Sequence, residues 1–169
     1  MTVAFRPLTA DDLPLLHEWL QREHVRRWWT RHETLDEVTE HYVPAIEGHD
    51  PTDLYVIVLD RAPSGFIQTY QVSDYPEYQE LVDIEEGVAG VDLFLAAEEQ
   101  LGRGVGTRVL EEFLREIVFA VPSTRACLAD PDAANVASVR AFEKAGFTAV
   151  REFVDPEDGR AHVLMRIDR

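Results

Sequence analysis

Residues 90–106 read GVDLFLAAEEQLGRGVG, and this stretch decides the fold. Its first seven residues are apolar except for Asp92, which is typical of a buried strand covering residues 88–96. Three glycines follow at alternate positions, Gly102, Gly104 and Gly106. Beyond them the apolar residues 105, 109, 110, 113, 114, 117 and 118 recur at helical spacing up to Pro122. The stretch predicts a strand, a glycine loop and a helix, in that order.

The glycine loop indicates an anion-binding site. Its glycines let the backbone approach a ligand without Cβ clashes, and they lead into a helix whose first N–H groups have no partner within the helix. A pyrophosphate suits this junction, with Arg103 and Arg108 as counter-charges. Taken alone, three glycines are also compatible with a plain tight turn.

Two familiar nucleotide motifs do not fit this loop. A P-loop ends in Gly-Lys-Ser/Thr, whereas Gly106 is followed by Thr107 and Arg108. A dinucleotide-binding fold places its glycines in the first strand–helix–strand unit, with an acidic residue about 20 positions further on. Here the glycines come late in the chain. The loop therefore favours a different phosphate-bearing ligand.

The rest of the chain mixes helices and strands. The pairs Thr9 with Asp12 and Thr34 with Glu37 are capping-box patterns, and they predict two early helices that end near residues 22 and 46. We expect strands at residues 3–7, 54–59, 65–72, 124–129, 147–154 and 161–167, a turn at residues 60–65 and a late helix at residues 133–145.

The segment of residues 73–86 is strongly acidic. It carries six acidic residues and no basic one, with Tyr75 and Tyr78 among them. We expect an irregular loop over the site. A clamp for a polycation and a solvated acidic face are both compatible with this pattern.

Composition limits the possible functions. At 169 residues and 46% apolar content, the chain is expected to form one domain over residues 1–169. Its 32 acidic residues against 16 Lys and Arg give a charge of −16, which argues against nucleic acid and anionic membrane surfaces as partners. The same charge would attract a polycation, although acidic surfaces commonly serve solubility alone.

A cytoplasmic location is expected. No apolar run approaches the ~20 residues of a membrane span, and the N-terminus lacks the pattern of a secretion signal. The single cysteine, Cys127, agrees with a reducing compartment and lies in an apolar stretch, which favours a core role over a nucleophilic one. His17 lacks the second histidine of a zinc-protease motif, and no metal site is expected.

Together these features resemble the GNAT acetyltransferases, and within them the aminoglycoside 6'-N-acetyltransferases. The resemblance rests on Trp28-Trp29, GFIQTY at residues 65–70, GVD at 90–92, QLGRGVGT at 100–107, Asp130-Pro131, Asn135 and EKAGF at 143–147. It implies an α+β fold. Such a fold has a central, mostly antiparallel mixed sheet of about six to seven strands, about four flanking helices and a V-shaped opening for acetyl-CoA.

The resemblance also implies site residues. The residues implied to bind acetyl-CoA are Phe94, Leu95, Leu101, Gly102, Arg103, Gly104, Val105, Gly106, Thr107, Asn135, Phe142 and Lys144. Those implied to bind the cationic acceptor are Trp28, Tyr70, Tyr78, Asp83, Glu85, Asp92 and Asp130, with Asp92 as the catalytic carboxylate.

An aspartate at the position of Asp92 suits the chemistry. An alkylammonium with a pKa near that of lysine, ~10.4, must lose a proton before it attacks, and a carboxylate can orient it and relay that proton through water. Backbone N–H groups beside Phe94 and Leu95 would polarise the thioester carbonyl. Asp92 is also compatible with a solvated strand residue, Asp130 with a helix-entry cap and Asn135 with a local cap.

Phe142 departs from the family pattern. Many acetyltransferases carry a tyrosine at this place, which is thought to protonate the departing thiolate, and Phe142 has no hydroxyl. A thiol with a pKa of about 8.5 gives a reasonably stable leaving anion that water could assist.

Three functions stay open on the sequence. The first is acetyl transfer from acetyl-CoA to the 6'-amino group of an aminoglycoside, giving antibiotic resistance. The second is a siderophore-type or other small-amine N-acyltransferase, although the siderophore enzymes tend to carry histidine at the position of Asp92. The third is a non-catalytic protein that binds acyl-CoA or aminoglycosides, which Phe142 allows. The chain is expected to be a monomer or homodimer without nucleic-acid or membrane partners.

Overall fold

The computed structural model describes residues 1–31 and 34–169. The strands are β1 Val3–Pro7, β2 Asp53–Leu59, β3 Ala62–Gln71, β4 Val88–Leu95, β5 Ala126–Ala129, β6 Thr148–Val154 and β7 Ala161–Asp168. The helices are α1 Leu13–Gln21, α2 Glu23–Arg26, α3 Leu35–Ile46, α4 Pro76–Val82, α5 Val105–Phe113 and α6 Val136–Lys144. The strands form one sheet in the order β1-β2-β3-β4-β5-β7-β6.

The sheet is mixed. β1 pairs with β2 antiparallel, and β7 pairs antiparallel with both β5 and β6. β4 and β5 are parallel, and their pairing runs only from Val88 with Ala126 to Gly90 with Leu128, although β4 continues to Leu95. The fold class predicted from the sequence is confirmed.

Contacts divide the chain into two compact units, and the first comprises Met1–Gln68 and Leu93–Gln100. Its helix α1 buries Leu13, Leu16, Trp19 and Leu20, which recur at helical spacing. Helix α3 begins with the predicted capping box of Thr34 and Glu37. Both helices contribute to one apolar core with β2, Phe66 and Phe94.

The second unit comprises Thr69–Asp92 and Leu101–Arg169. All residues of β5 are buried, as expected for a strand between β4 and β7. Helix α5 buries Val109, Leu110 and Phe113, and a π-helical turn at Leu114–Val118 continues it. This unit therefore holds the glycine loop, β5 and the β6–β7 hairpin.

The prediction of an irregular loop at residues 73–86 is wrong. A 3-10 turn at Val72–Asp74 leads into α4 instead. Pro76 occupies the first turn of α4, where the missing N–H of proline costs nothing, and Asp83 ends the helix in the left-handed conformation, with φ of 53°. Pro76 therefore begins a helix in a segment for which a loop was predicted.

Two other boundaries and the number of helices also differ from the predictions. β3 begins at Ala62, so the turn before it is confined to Asp60 and Arg61, which both have positive φ. α6 begins at Val136, three residues later than predicted. The described residues contain six α-helices where about four were expected, because α2 is a single short turn and α4 replaces the loop. None of these helices is long and apolar enough to cross a membrane.

Candidate active site

Tyr70 lies against Gly90 on the neighbouring strand. A Cβ atom at residue 90 would come within 2.4 Å of the Tyr70 ring, so this close approach requires glycine. The Thr69 hydroxyl donates a hydrogen bond of 2.8 Å to the Gly90 carbonyl at the same place. Gly90, two residues before Asp92 in the GVD motif, therefore makes room for the ring of Tyr70.

Three tyrosines form an aromatic wall at this point. The Tyr70 ring meets Tyr75 edge-on at a centroid distance of 5.4 Å and Tyr78 at 6.1 Å. Burial, followed by the charges of Asp92 and Asp130, raises the pKa of Tyr70 and Tyr78 above the ordinary phenol value. Both phenols are therefore neutral hydrogen-bond donors. Tyr78 lies on α4, so the helix that the sequence did not predict supplies part of the wall.

Asp130 follows β5 and adds a carboxylate to the wall. The Tyr78 hydroxyl donates to Asp130 Oδ2 at 3.0 Å. Burial and then the charge of Asp92 raise the pKa of Asp130 to about 7. Asp92 itself is half-buried on β4. The effect of the Asp92 charge on Asp130 favours a cation at this place, because a positive charge near both carboxylates stabilises their ionised forms.

His162, in β7, contacts Asp130 through its backbone. Its Nδ1 lies 2.6 Å from the Asp130 carbonyl oxygen, and its Nε2 lies 2.8 Å from Asp158 Oδ2. These hydrogen bonds tie the β6–β7 turn to the loop after β5. His162 and Asp158 were not predicted as site residues. No spacing pattern in the sequence indicates the contact, because 32 residues separate His162 from Asp130.

The residue types of this cluster would also suit a cation. Asp130, Asp155 and His162 place their ligand atoms within 4.8 Å of one another, as do Asp132, Asp158 and His162. Both ring nitrogens of His162, however, already contact hydrogen-bond acceptors. We therefore assign the cluster to hydrogen bonding within the protein.

The glycine loop opens α5 at the predicted place. Gly102 and Gly104 have φ of +70° and +77°, and a Cβ at either position would meet nothing within 4 Å. Their role is therefore conformational, and the loop surface stays open. Gly104 is the N-cap, and among the described residues no side chain caps α5. The first N–H groups of the helix are available to an anion.

The side chains of the loop lie at its surface. Leu101 and Arg103 are exposed, and Val105, Gly106 and Thr107 are half-buried. Arg108 is exposed and forms an ion pair with Glu112 one turn later, at 3.7 Å. Arg103 is therefore the better placed of the two predicted counter-charges.

Asn135 caps α6. Its side-chain oxygen accepts a hydrogen bond of 3.2 Å from the Ser138 N–H, which is the local role that the sequence left open. Its amide NH₂ group is a donor that this hydrogen bond does not involve. Because Asn135 is the cap, the alternative role of Asp130 as a helix-entry cap is wrong.

Phe142 and Lys144 lie on different faces of α6. Phe142 is buried and packs edge-on against Phe147 at a centroid distance of 5.1 Å. Lys144 is exposed in the last turn. Phe142 therefore belongs to the core around α6.

The end of β4 belongs to the first unit. Phe94 packs edge-on against Trp29 at a centroid distance of 5.1 Å, and the Leu95 carbonyl accepts a hydrogen bond of 3.0 Å from His24 Nε2. Of the two adjacent tryptophans, Trp29 packs against the core, whereas Trp28 is half-buried in the turn after α2.

Asp83 and Glu85 are exposed in the connection between α4 and β4. Glu85 accepts two hydrogen bonds from Arg166 of β7, at 2.6 and 3.1 Å, and these lower the pKa of Glu85 to about 2. The sequence assigned both acids to the acceptor, but Glu85 already has a cationic partner within the protein.

Known proteins are similar to this chain in sequence and in fold. The family model "Acetyltransferase (GNAT) domain" matches residues 9–154. The aminoglycoside N(6')-acetyltransferase type 1 of Klebsiella pneumoniae is 34% identical over 166 residues, which are 96% of this chain and 82% of the relative. The structure of AAC(6')-Ib in complex with ribostamycin and coenzyme A has a TM-score of 0.90 at 32% identity, covering 100% of this chain and 94% of that one. The complex of the same acetyltransferase with coenzyme A and kanamycin has a TM-score of 0.89 at 32% identity, covering 99% and 95%.

Proposed function

This chain belongs to the GNAT acetyltransferases, and on that premise we propose that it transfers the acetyl group of acetyl-CoA to the 6'-amino group of an aminoglycoside, giving antibiotic resistance. The observation that carries the proposal is the pair of interacting carboxylates, Asp92 and Asp130, beside Tyr70 and Tyr78. Carboxylates and aromatic rings together suit a molecule with several ammonium groups. Kanamycin and ribostamycin, bound to AAC(6')-Ib, are molecules of this kind.

Acetyl-CoA supplies the activated acetyl group in this proposal. The N-terminus of α5 suits its pyrophosphate, because N–H groups and the positive end of the helix dipole face the open loop at Gly102 and Gly104. Arg103 adds an exposed positive charge. The remaining residues proposed for acetyl-CoA are Leu101, Val105, Gly106, Thr107, Asn135, Phe142 and Lys144.

Asp92 is proposed as the catalytic carboxylate. It orients the acceptor ammonium and accepts its proton, directly or through water, so that the neutral amine attacks the thioester carbonyl. The backbone N–H groups at Phe94 and Leu95 polarise that carbonyl as the C–N bond forms and the C–S bond breaks. Asp130, held by Tyr78, binds a further ammonium group of the acceptor.

The coenzyme A thiolate leaves without a tyrosine at position 142. Phe142 is buried against Phe147 and carries no hydroxyl. We assign protonation of the thiolate to water, which suffices because a thiol pKa of about 8.5 makes the anion a stable leaving group.

The chain is proposed to act as a single domain over residues 1–169, as a monomer or homodimer, in the cytoplasm. Its one cysteine, Cys127, is a buried free thiol, which supports a reducing compartment. Trp28 and Asp83 are proposed as further contacts to the acceptor.

Release of free thiol on mixing the protein with acetyl-CoA and kanamycin or tobramycin tests the proposal. We expect Asp92→Asn to lower kcat/KM by ~10²-fold, since the amide neither accepts the proton nor stabilises the ammonium. The matched control is Asp36→Asn, which changes an exposed aspartate of α3 and should leave turnover unchanged.

Two results would count against the proposal. Binding of acetyl-CoA and aminoglycoside without thiol release would favour the non-catalytic binding protein. Thiol release with small amines but with no aminoglycoside would favour the other N-acyltransferases. Full turnover by Asp92→Asn would refute the catalytic role of Asp92 but would leave the proposed function in place.

A further inference from the structure

The ring of His162 lies between two hydrogen-bond acceptors. Nδ1 is 2.6 Å from the Asp130 carbonyl oxygen, and Nε2 is 2.8 Å from the Asp158 carboxylate. A carbonyl oxygen and an ionised carboxylate can both accept a hydrogen bond, and neither can donate one. A neutral imidazole donates from one nitrogen and would point the lone pair of the other at an acceptor. The geometry therefore requires a proton on each nitrogen.

Asp158 is ionised in this arrangement. Burial opposes its charge, but hydrogen bonds from the Arg160 N–H and from His162 outweigh burial and hold the pKa of Asp158 below its ordinary value. For His162, burial alone would lower the pKa, and the hydrogen bonds to Asp158 and to the Asp130 carbonyl raise it above the ordinary value. The side chains of His162 and Asp158 are 11% and 15% exposed, which limits the competition of water for these bonds.

We propose that His162 is a positioning residue for acceptor binding: a protonated imidazolium that fixes the loop bearing Asp130 and favours the ionised form of the Asp130 carboxyl group. This inference rests on the proposed function, because it gives His162 a role in holding the cationic acceptor. His162 acts through Asp130, with no contact to the acceptor assigned to it.

The charged and titratable groups around His162 and around its partner Asp130 come from several elements. They are Tyr70 of β3, Tyr78 of α4, Asp92 of β4, Asp130 and Asp132 after β5, and Asp155, Asp158 and Arg160 of the β6–β7 turn. Most of these groups are acids. Arg160 pairs with Asp132 at 3.4 Å, whereas His162 bonds directly to the Asp130 backbone.

The positive charge of His162 lowers the pKa of Asp130, against the larger effects of burial and Asp92 that raise it. Loss of the charge would therefore allow Asp130 to bind a proton at higher pH. A protonated Asp130 has no charge with which to attract an ammonium group. The effect of losing the His162 charge on acceptor binding should accordingly depend on pH. A histidine with a merely structural role would not produce this pH dependence.

The first experiment follows the charge of His162 by NMR titration of the histidine ring signals of the whole protein, assigned with His162→Gln. We expect the ring to remain protonated well above the ~6.5 of an unperturbed histidine. A ring that titrates near that value, or a single-proton tautomer at neutral pH, would overturn the proposal. This measurement needs no acetyl transfer, so its failure is separate from failure of the proposed function.

The second experiment compares the pH profiles of wild-type protein and His162→Gln with kanamycin. The variant should raise the KM for kanamycin about tenfold near pH 7, with little change in the KM for acetyl-CoA. The acid limb of kcat/KM should move up by about one pH unit. The control is His49→Gln, which removes an exposed histidine paired with Glu47.

Asp158→Asn keeps the shape of the hydrogen bond and removes the carboxylate charge. It should lower the pH at which His162 titrates and move the acid limb in the same direction as His162→Gln. An unmoved acid limb in both variants, with folded protein and normal acetyl-CoA KM, would overturn the positioning role. Lack of thiol release from the wild-type protein would instead refute the proposed function.

Discussion

Asp130 holds a charge where burial disfavours it. Burial and then the charge of Asp92 raise the pKa of its carboxyl group to about 7, and the carboxylate accepts a hydrogen bond from Tyr78. Such a group is poised for a cationic ligand, but in the free protein its ionisation opposes folding. At the scale of single residues, the proposed acceptor site therefore lowers stability in exchange for binding.

Asp130→Asn should stabilise the protein at high pH while weakening acceptor binding. The folded state holds a proton on Asp130 more tightly than the unfolded chain, in which the pKa is about 3.9, so wild-type stability falls as pH rises from about 4 to 7. Asp130→Asn has no carboxyl group at this position, so its stability does not fall in this way as pH rises. Its free energy of unfolding should exceed that of wild type by about 2 kcal/mol at pH 8, with little gain at pH 4.

Thermal unfolding at pH 4, 6 and 8 measures this difference, with Asp36→Asn as the control. A constant difference between Asp130→Asn and wild type over this range would contradict the raised pKa of the buried Asp130 carboxyl group.

At the scale of secondary-structure elements, three helices differ in how their N-termini are capped. α3 begins with the capping box of Thr34 and Glu37, and α6 begins with Asn135 as cap. α5 begins at Gly104 in the left-handed conformation, and among the described residues its first turn has no side-chain cap. A helix that leaves its N–H groups open in this way can direct them to a ligand.

Gly104→Ala should raise the KM for acetyl-CoA about fivefold, because alanine disfavours φ of +77° and moves the first N–H groups of α5. The KM for kanamycin should change little. Gly48→Ala is the matched control: Gly48 has φ of +78°, a Cβ there would also meet nothing within 4 Å, and it lies after α3.

Both variants should lose about 1 kcal/mol of stability, since the backbone cost is the same. Steady-state kinetics with each substrate varied in turn, together with thermal unfolding, separates the two effects. Equal acetyl-CoA KM values for the two variants would refute the role of the α5 N-terminus.

The charge of −16 acts at the scale of the whole molecule. Local ion pairs such as Glu85 with Arg166 compensate part of the acidic surface, but the excess of acids persists. A field of this sign attracts an aminoglycoside cation and repels the coenzyme A anion. The two substrates should therefore respond to salt in opposite directions.

Raising ionic strength from about 0.01 to about 0.3 M should increase the KM for kanamycin about tenfold, since the Debye length falls from about 30 Å to below 8 Å. The KM for acetyl-CoA should stay constant or fall, and kcat should change little. Initial rates at fixed pH with NaCl and with KCl check this prediction. A parallel rise of both KM values would indicate a general effect of salt on the enzyme.

The local pattern of the sequence determined most helices and strands, and it also determined the glycine loop at the N-terminus of α5. Leu13, Leu16, Trp19 and Leu20 follow the helical period, and the glycines carry their conformational freedom with them. The same holds for the capping box at Thr34, because its partner lies three residues away. Such features depend on neighbours along the chain, which is why a sequence can reveal them.

Only the tertiary structure decided what surrounds Asp130. Tyr78 and His162 are 52 and 32 residues away from it, and α4, which carries Tyr78, was predicted as a loop. The pKa of Asp130 and the two protons of His162 depend on burial and on these distant partners. Electrostatic environment is a property of space, so no periodicity along the chain encodes it. The sequence could suggest an acceptor carboxylate, but only folding shows what holds it in place and keeps it charged.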